Sequence, residues 1–275
     1  GFANSLKLAC TTADTSIGAD EAALIQQRIE GQNLQAFAKG TSDAKPFVLS
    51  FYVKGNASAT YTAELFDNDN SRGNGQTFNV TTDWTRVELT FPADTTGAFG
   101  DDANASLFFN IWLHAGSTYT GGTFNNGTWT TTSNANVRVG DGTSFFDSTS
   151  RTFFITGVQL EVGQNPTEFE HKPFAQDLLE AQRYYETGVV GSTGSGNALG
   201  TGFFGQTTDY KVEKRAVATL AQSGQSVREI YNDTILLGSV GSQFAHNNVN
   251  GFYSNAIHNG QNGKYLFTFT ADSEL

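Results

Sequence analysis

The stretch Phe47-Val-Leu-Ser-Phe-Tyr-Val-Lys54 carries the clearest structural signal in the sequence. Large apolar side chains occupy every second position from residue 47 to residue 53, and smaller or more polar ones lie between them. Because successive side chains of a strand point to opposite faces, this alternation predicts a strand with one buried face. The same two-residue period recurs in three later segments, at residues 61–65, 87–91 and 107–113, and we predict a last strand over residues 152–162.

The composition agrees with a chain made of many short strands. Of its 275 residues 30 are Gly and only 4 are Pro, and aromatic residues make up 13%. Gly and Asn tolerate the positive φ angles of tight turns, and 23 Phe residues provide ample apolar area for a folded core. We therefore predict an all-β protein, with an antiparallel jelly-roll β-sandwich over residues 1–170, a connecting helix over 171–188 and a small C-terminal β domain over 189–275.

The predicted helix lies between the two β regions. Pro173 can occupy its first turn and Gly188 can end it. Its apolar side chains recur at spacings of four, three and four residues: Phe174, Leu178, Ala181 and Tyr185. A helix this short is marginal alone, so the stripe packs either on its own sandwich or against the same stripe in other copies of the chain.

A Gly-rich segment, residues 188–202, follows the helix and is typical of a flexible linker or a long hairpin tip. Beyond it we predict strands over residues 203–212, 215–221, 235–240 and 265–270. A domain of this size is small for an independent core, and oligomerisation would supply the missing burial.

Charge and cysteine content exclude several classes of protein. The net charge is −11, which repels phosphate backbones and anionic lipids, so we expect no nucleic-acid partner. No segment approaches the ~20 apolar residues of a membrane span, so we expect no membrane insertion. Cys10 is the only cysteine, so no intramolecular disulfide can form, and we expect a buried thiol. The chain begins with Gly1 and has no Met, so we expect a processed or partial chain.

Two stretches resemble a known family. They are Phe154-Ile-Thr-Gly-Val-Gln-Leu-Glu-Val-Gly163, continued by Pro166-Thr-Glu-Phe-Glu-His-Lys-Pro-Phe174 and Ala181-Gln-Arg-Tyr-Tyr185, and the terminal Phe269-Thr-Ala-Asp-Ser-Glu-Leu275. Together they resemble bacteriophage tail-fibre and other virion structural proteins. The resemblance implies a location in the virion, a homo-oligomer that in fibres is often a trimer, and other virion proteins or host-surface glycans as partners. The two prolines predict that residues 166–173 leave the sheet edge and fix the angle of the helix.

The N-terminal region also resembles carbohydrate-binding jelly rolls of the CenC type. Those modules carry Asp residues at the start of the last strand, near a structural calcium, where this chain has Thr156-Gly157. The segment Asp67-Asn-Asp-Asn-Ser-Arg-Gly73 superficially resembles a calcium loop, but it lacks the Gly and Glu positions of an EF-hand, which favours a solvated hairpin tip. The four His residues show no ligand spacing, and those other than His171 are expected on surfaces or in turns. We therefore predict no metal and no cofactor.

A carbohydrate-binding surface is the sharpest hypothesis for a site. Four residues share the faces opposite the predicted core, and they would line a concave sheet if their strands are neighbours: Tyr52, Asn110, Trp112 and His114. The alternative is that residues 117–136 cover Trp112 and form a second small core with it. Trp84 precedes a strand and is expected to pack structurally, whereas Trp129 is either a loop anchor or an exposed contact residue.

No catalytic motif supports an enzyme. The sequence lacks a Gly-x-Ser-x-Gly elbow, a His-Glu-x-x-His motif and a phosphate-binding loop. Asp101 and Asp102 are adjacent in a loop, and Glu161 and Glu168 flank a strand end. We therefore predict a non-enzymatic virion structural protein, most simply a fibre component, with a carbohydrate-binding module without a virion role as the alternative and a polysaccharide depolymerase as the third hypothesis.

Overall fold

The computed structural model describes residues 1–132, 138–140, 142–194, 201–228, 235–237, 242–259 and 263–274. The chain forms two compact units, residues 1–170 and 171–275. Both are built from antiparallel strands, so the protein is all-β with short helical insertions. Within the described ranges, no helix combines the length and the hydropathy needed to cross a bilayer.

The first unit is an antiparallel jelly-roll β-sandwich, which confirms the fold predicted from the sequence. One sheet has the strand order β1-β9-β3-β6 and the other the order β2-β7-β4-β5-β8. We call these sheet A and sheet B. The strands are β1 (Leu6–Ala9), β2 (Ala22–Glu30), β3 (Phe47–Gly55), β4 (Ala59–Asp67), β5 (Arg72–Val80), β6 (Thr85–Phe91), β7 (Ala105–Ala115), β8 (Thr130–Thr131) and β9 (Thr152–Val162), with a one-turn helix α1 (Ser117–Thr120) after β7.

The core of this unit lies between sheets A and B, and β3 supplies its centre. The alternate apolar side chains of β3 are fully buried, as the period-two pattern predicts. Phe51 packs edge-on against Phe78 of sheet B at 5.1 Å and Phe47 stacks on Phe37 at 3.9 Å, both measured between ring centroids. Each such side chain stabilises the fold by about 1.5–3 kcal/mol. The Cys10 thiol is buried, as expected.

The calcium-like segment 67–73 forms the turn between β4 and β5, as the hairpin interpretation predicted. Asp67 is buried rather than solvated, however, because the Lys39 ammonium lies 2.5 Å from its carboxylate. The same ammonium lies 3.1 Å from Asp94 and donates hydrogen bonds to the carbonyl oxygens of Thr96 and Gly97. A lysine therefore supplies the positive charge at this carboxylate.

Residues 164–170 fold back over the outer face of sheet A. Thr167 donates its backbone N–H and its hydroxyl to the Glu161 carboxylate, and the Glu170 N–H donates to Gln159 Oε1 at 2.8 Å. Burial raises the pKa of Glu161, but the hydrogen bonds from Thr167 and Gln159 outweigh it and lower that pKa overall. The prediction that residues 166–173 simply leave the sheet edge is therefore wrong up to residue 170. The same contacts give Glu161 a structural role, whereas the Glu168 side chain is almost fully exposed.

The second unit consists of a helix and two small sheets. The sheets have the strand orders β10-β16-β12-β13 and β11-β15-β14. Its elements are α2 (Phe174–Gln182), β10 (Tyr185–Gly194), β11 (Thr201–Asp209), β12 (Thr219–Arg228), β13 (Ile235–Leu237), β14 (Ser242–Ala245), β15 (Gly251–Asn259) and β16 (Gly263–Asp272). Half of the buried residues of its core cluster lie on β16. Phe244 packs in T-shaped arrangements against Phe252 at 5.2 Å and against Phe267 at 5.9 Å, measured between ring centroids.

The helix is shorter than the sequence indicated. It ends at Gln182, and Tyr185 is already the first residue of β10. Gly188 pairs with Phe269 inside the sheet, so a linker or hairpin tip beginning at residue 188 is wrong for residues 188–194. A complete antiparallel partner in β16 compensates for the weak strand propensity of this Gly-rich segment. The remainder of that predicted linker, residues 195–200, lies outside the described residues.

The end of the first family-like stretch meets the terminal stretch in this unit. Ser273 donates its N–H to the Tyr184 carbonyl oxygen at 2.8 Å, and its hydroxyl contacts the carbonyl oxygens of Arg183 and Tyr184. Arg215 donates Nε–H to the Ser273 carbonyl oxygen at 2.9 Å. The end of α2 and the C-terminal tail therefore form one hydrogen-bonded junction. Leu275, the last residue of the motif, lies outside the described residues.

Candidate functional site

An open cavity lies on the outer face of sheet A. Its volume is about 370 Å³, within the ~300–1,000 Å³ typical of small-molecule sites. We call it the aromatic cavity, and its lining residues are Phe2, Ala3, Asn4, Ser5, Tyr52, Trp84 and Thr156. It combines three aromatic rings with four small or polar residues, which is the mixture that binding sites for small polar ligands use.

Trp84 is the most exposed aromatic residue of the cavity. It directly precedes β6, and 46% of its surface is accessible. Its ring packs in a T-shaped arrangement with Phe154 of β9, with 6.3 Å between centroids, and almost half of the residue remains accessible. The expectation that Trp84 packs structurally is therefore only partly right.

The second aromatic wall is held in place by a backbone irregularity. The pairing of β3 with β9 shifts between Ser50 and Tyr52, and Gly157 there has φ +60°. A Cβ atom at Gly157 would lie 2.3 Å from the Phe2 ring, so only glycine lets that ring approach. Phe2 then packs 5.3 Å from the Tyr52 ring and 4.9 Å from the Phe169 ring.

Polar groups surround these rings. The Thr156 hydroxyl donates a hydrogen bond to the Asn4 carbonyl oxygen at 2.8 Å, which ties the N-terminal segment to β9. The Tyr52 hydroxyl has no hydrogen-bond partner among the described residues and is available to a ligand. An open aromatic face with hydroxyl and amide groups at its rim can bind a molecule that presents both C–H and O–H groups.

The structure separates the four residues predicted to line one concave surface. Tyr52 lies on β3 of sheet A, whereas Asn110, Trp112 and His114 lie on β7 of sheet B. The prediction of one shared surface is wrong, because β3 and β7 are not neighbours. Sequence alternation identifies the outward face of each strand but not the sheet to which the strand belongs.

Trp112 is only 4% exposed and lies beneath a cover of polar and aromatic side chains. Its indole N–H donates to Glu64 Oε2 at 2.8 Å, and Asn110 donates to the same oxygen at 3.0 Å. Arg138 binds both oxygens of Glu64 at 2.7 and 3.0 Å, and the Tyr119 ring lies 5.1 Å from that of Trp112. Tyr119 belongs to residues 117–136, the segment that the alternative interpretation placed over Trp112, whereas Arg138 lies just beyond that segment.

The structure also shows where Trp129 and the other histidines discussed above lie. Trp129 is buried and donates its indole N–H to the Pro92 carbonyl oxygen at 2.8 Å, so it is a loop anchor. His114 is buried rather than on a surface. His246 is exposed in a turn at φ +52°. The side chain of His258 lies outside the described residues.

The apolar stripe around α2 is exposed within the single chain. Phe174 is 79% accessible, and Leu178, Leu179, Ala181 and Tyr185 are also exposed. Because Tyr185 belongs to β10, only the first three predicted positions lie on the helix. Their role as an oligomer interface stays a prediction.

Comparison with known proteins identifies no family. No protein-family profile and no curated protein matches the sequence. A solved structure described as "CBM4 structure and function" is 17% identical, over 51% of this chain and 61% of its own, with a TM-score of 0.28. This chain therefore spans less than two thirds of that protein.

Two further solved structures cover more of the chain at lower identity. Discoidin II from Dictyostelium discoideum is 12% identical over 96% of this chain and 80% of its own, with a TM-score of 0.25. The PBSX exported protein XepA is 11% identical over 98% of this chain and 84% of its own, with a TM-score of 0.22. Since these TM-scores are low, the fold assignment rests on the strand pairing of this chain.

Proposed function

We propose that this protein is a non-catalytic carbohydrate-binding protein and that its first unit holds a saccharide in the aromatic cavity. The observation that supports the proposal is the half-exposed Trp84 indole, which faces the same cavity as Tyr52. A pyranose ring presents C–H groups to an aromatic face and hydroxyl groups to its rim. Asn4, Ser5 and Thr156 provide hydrogen-bonding groups at that rim.

The size and openness of the cavity set the expected affinity. A volume of about 370 Å³ admits one or two sugar rings rather than a long buried chain. We expect dissociation constants in the millimolar to micromolar range, roughly −4 to −8 kcal/mol. Weak single sites of this kind gain strength when several copies bind one surface, provided that the geometry lets them engage together.

A glycan array with the intact protein, followed by calorimetry on the best saccharide, tests the proposal. Trp84 exposes 46% of its surface, or roughly 100 Å² of a large aromatic side chain. Covering half to all of that area contributes about 1–2.5 kcal/mol, so Trp84→Ala should weaken binding about 5- to 70-fold. Leu24→Ala removes an exposed apolar side chain from sheet B and serves as the control, with unchanged binding expected.

Two results would contradict this function. One is an array without signal for the intact protein, and the other is equal loss of binding in both variants. An assay for reducing ends after incubation with host capsule or lipopolysaccharide separates binding from cleavage. Release of reducing ends would replace the binding proposal with a depolymerase.

The finer proposal is that the protein is a homo-oligomeric structural component of a phage virion, such as a fibre, in which the sugar site contacts the host surface. The resemblance of residues 154–185 to virion proteins and the exposed stripe of α2 support it. Burying a Phe side chain between copies stabilises an assembly by about 1.5–3 kcal/mol per copy.

Light scattering coupled to size-exclusion chromatography tests the assembly. We expect a homo-oligomer whose apparent dissociation constant rises at least about tenfold on Phe174→Ser. Val217→Ser, which removes another exposed apolar side chain of the same unit, serves as the control and should leave the mass unchanged. A folded monomer at high protein concentration would contradict the proposal.

A further inference from the structure

Three potential metal ligands converge where the loop between β1 and β2 meets the end of β7. Asp14 and Glu21 lie on the loop, and His114 lies near the end of the strand. One ligand atom from each of these residues lies within 4.8 Å of the other two. We propose that Asp14, Glu21 and His114 form a binding site for a divalent transition-metal cation, with Zn²⁺ as the best fit.

The His114 imidazole is held in place by its neighbours. Its side chain is only 6% exposed, and its Nδ1 lies 2.7 Å from the Ser144 hydroxyl. The Ser144 oxygen also accepts the Phe146 N–H at 3.1 Å, and the Phe146 ring packs edge-on against the imidazole at 5.1 Å. When Nδ1–H donates to Ser144, Nε2 keeps its lone pair, and it has no hydrogen-bond partner in the described part of the chain.

Each carboxylate is positioned by one backbone amide. The Ser16 N–H donates to Asp14 Oδ1 at 2.9 Å, and the Gly18 N–H donates to Glu21 Oε2 at 2.6 Å. One oxygen of each carboxylate is therefore fixed by the backbone and the second is left for a cation. Hydrogen-bonded supports of this kind orient the ligands of metal sites.

The backbone around the cluster is fixed as well. The Asp14 N–H donates to the Phe146 carbonyl oxygen at 2.9 Å, and the Gly116 N–H donates to the Glu21 carbonyl oxygen at 2.8 Å. A Cβ atom at Gly116 would lie 2.0 Å from the Gly18 carbonyl oxygen, so this close approach of loop and strand requires glycine. The ligands are thus carried by segments that are bonded to one another.

A polar cavity lies beside His114. Its volume is about 190 Å³, which is room for several water molecules, and Thr62 and Ser144 also line it. Water can therefore reach His114 and supply the fourth ligand of a tetrahedral Zn²⁺.

One imidazole and two carboxylate ligands favour Zn²⁺ over Ca²⁺. Zn²⁺ binds imidazole nitrogen and carboxylate oxygen at about 2.0–2.2 Å, so the ligand atoms of a tetrahedral site lie roughly 3.4 Å apart. The three ligand atoms lie within 4.8 Å of one another, so Zn²⁺ would have to draw them closer together when it binds. A nitrogen ligand favours Zn²⁺ over Ca²⁺, which prefers six to eight oxygens. Bound metal would clamp the β1–β2 loop onto sheet B.

The test uses full-length protein without a histidine tag, treated with EDTA, dialysed and titrated with ZnCl₂. We expect one Zn²⁺ per chain by calorimetry. All three Trp residues lie in the first unit, so Trp fluorescence follows its unfolding. At a hundred times the dissociation constant, the Tm of this unit should rise by roughly 5–10 °C.

Substitutions at the proposed ligands test whether these residues bind the metal. His114→Gln and Glu21→Gln should each lower the affinity for Zn²⁺ at least about tenfold. Glu21 is exposed and Gln has nearly its shape, so this variant reports on binding even if His114→Gln fails to fold. His246→Gln, an exposed histidine of the second unit, is the control and should bind as the unmodified protein does. Absence of Zn²⁺ binding, equal binding by Glu21→Gln, or binding of Ca²⁺ in place of Zn²⁺ would overturn the assignment.

Discussion

Replacing Lys39 by Met tests whether a buried lysine takes the place of a cation at one end of the sandwich. Its ammonium group is fully buried and contacts two carboxylates, those of Asp67 and Asp94. It also donates to two carbonyl oxygens, at 2.8 and 2.9 Å. Met fills a similar volume without a charge or a donor, so the substitution isolates the electrostatic contribution.

The magnitude follows from what the substitution leaves unpaired. Removing one partner of a buried ion pair costs about 3–5 kcal/mol, because the other charge stays buried. Asp94 keeps its two hydrogen bonds from Arg72, and Asp67 keeps those from Asn70, so the cost stays within that range. With about 2–4 °C per kcal/mol for a domain of this size, the Tm of the first unit should fall by roughly 6–20 °C.

Thermal unfolding followed by Trp fluorescence measures this loss. Lys45→Met, at an exposed lysine, is the control and should change the Tm by less than about 2 °C. Added Ca²⁺ should not raise the Tm of the unmodified protein, because Lys39 already neutralises the carboxylates. A Tm for Lys39→Met within about 3 °C of the unmodified protein would refute the reasoning.

Three further predictions follow from the first unit. Trp112→Phe loses one buried hydrogen bond at a cost of about 1–3 kcal/mol, so it should lower the Tm in thermal melts and leave saccharide binding unchanged. Gly157→Ala forces the Phe2 ring to move and should weaken saccharide binding in calorimetry while the protein still folds. Burial raises the pKa of Asp94, but hydrogen bonds from Arg72 and a lysine hold it below its usual value. Asp94 therefore adds stability above about pH 4 that is lost as the pH falls through its folded pKa, and Asp94→Asn should flatten the Tm-versus-pH curve there.

The sandwich core could be predicted because the alternation of apolar residues is visible within each single strand. Residues 47–53 alternate between large apolar and smaller side chains, and the structure buries that apolar face completely. A one-residue shift in register would expose every one of these side chains, so burial and sequence constrain each other strongly. The predicted alternations around residues 61–65, 87–91 and 107–113 agree with the structure for the same reason.

The candidate site was harder to predict because it depends on distant parts of the chain. Tyr52 was identified as outward-facing, but its neighbours come from the N-terminal segment and from Trp84, which no pattern links to it. Trp84 lies just before a strand, where alternation carries no information on burial. The alternation around Trp112 indicates an outward-facing side chain that could bind a ligand. Tyr119 and Arg138, which lie later in the chain, nevertheless cover it.

The second unit shows a different limit. Residues 188–194 contain three Gly residues and no large apolar period, which is typical of a linker, yet they pair with β16 along their whole length. Strand formation there depends on the partner strand, more than 70 residues later in the sequence. Long-range pairing of this kind leaves little trace in the local sequence.

A crystal structure of the full-length protein with the best saccharide from the array tests the central claim most directly. We predict a sugar ring packed against the exposed face of Trp84, with its hydroxyl groups near Tyr52 and the 2–5 segment. Density for the saccharide on sheet B over the buried Trp112, or in the second unit alone, would contradict the assignment of the aromatic cavity as the carbohydrate-binding site.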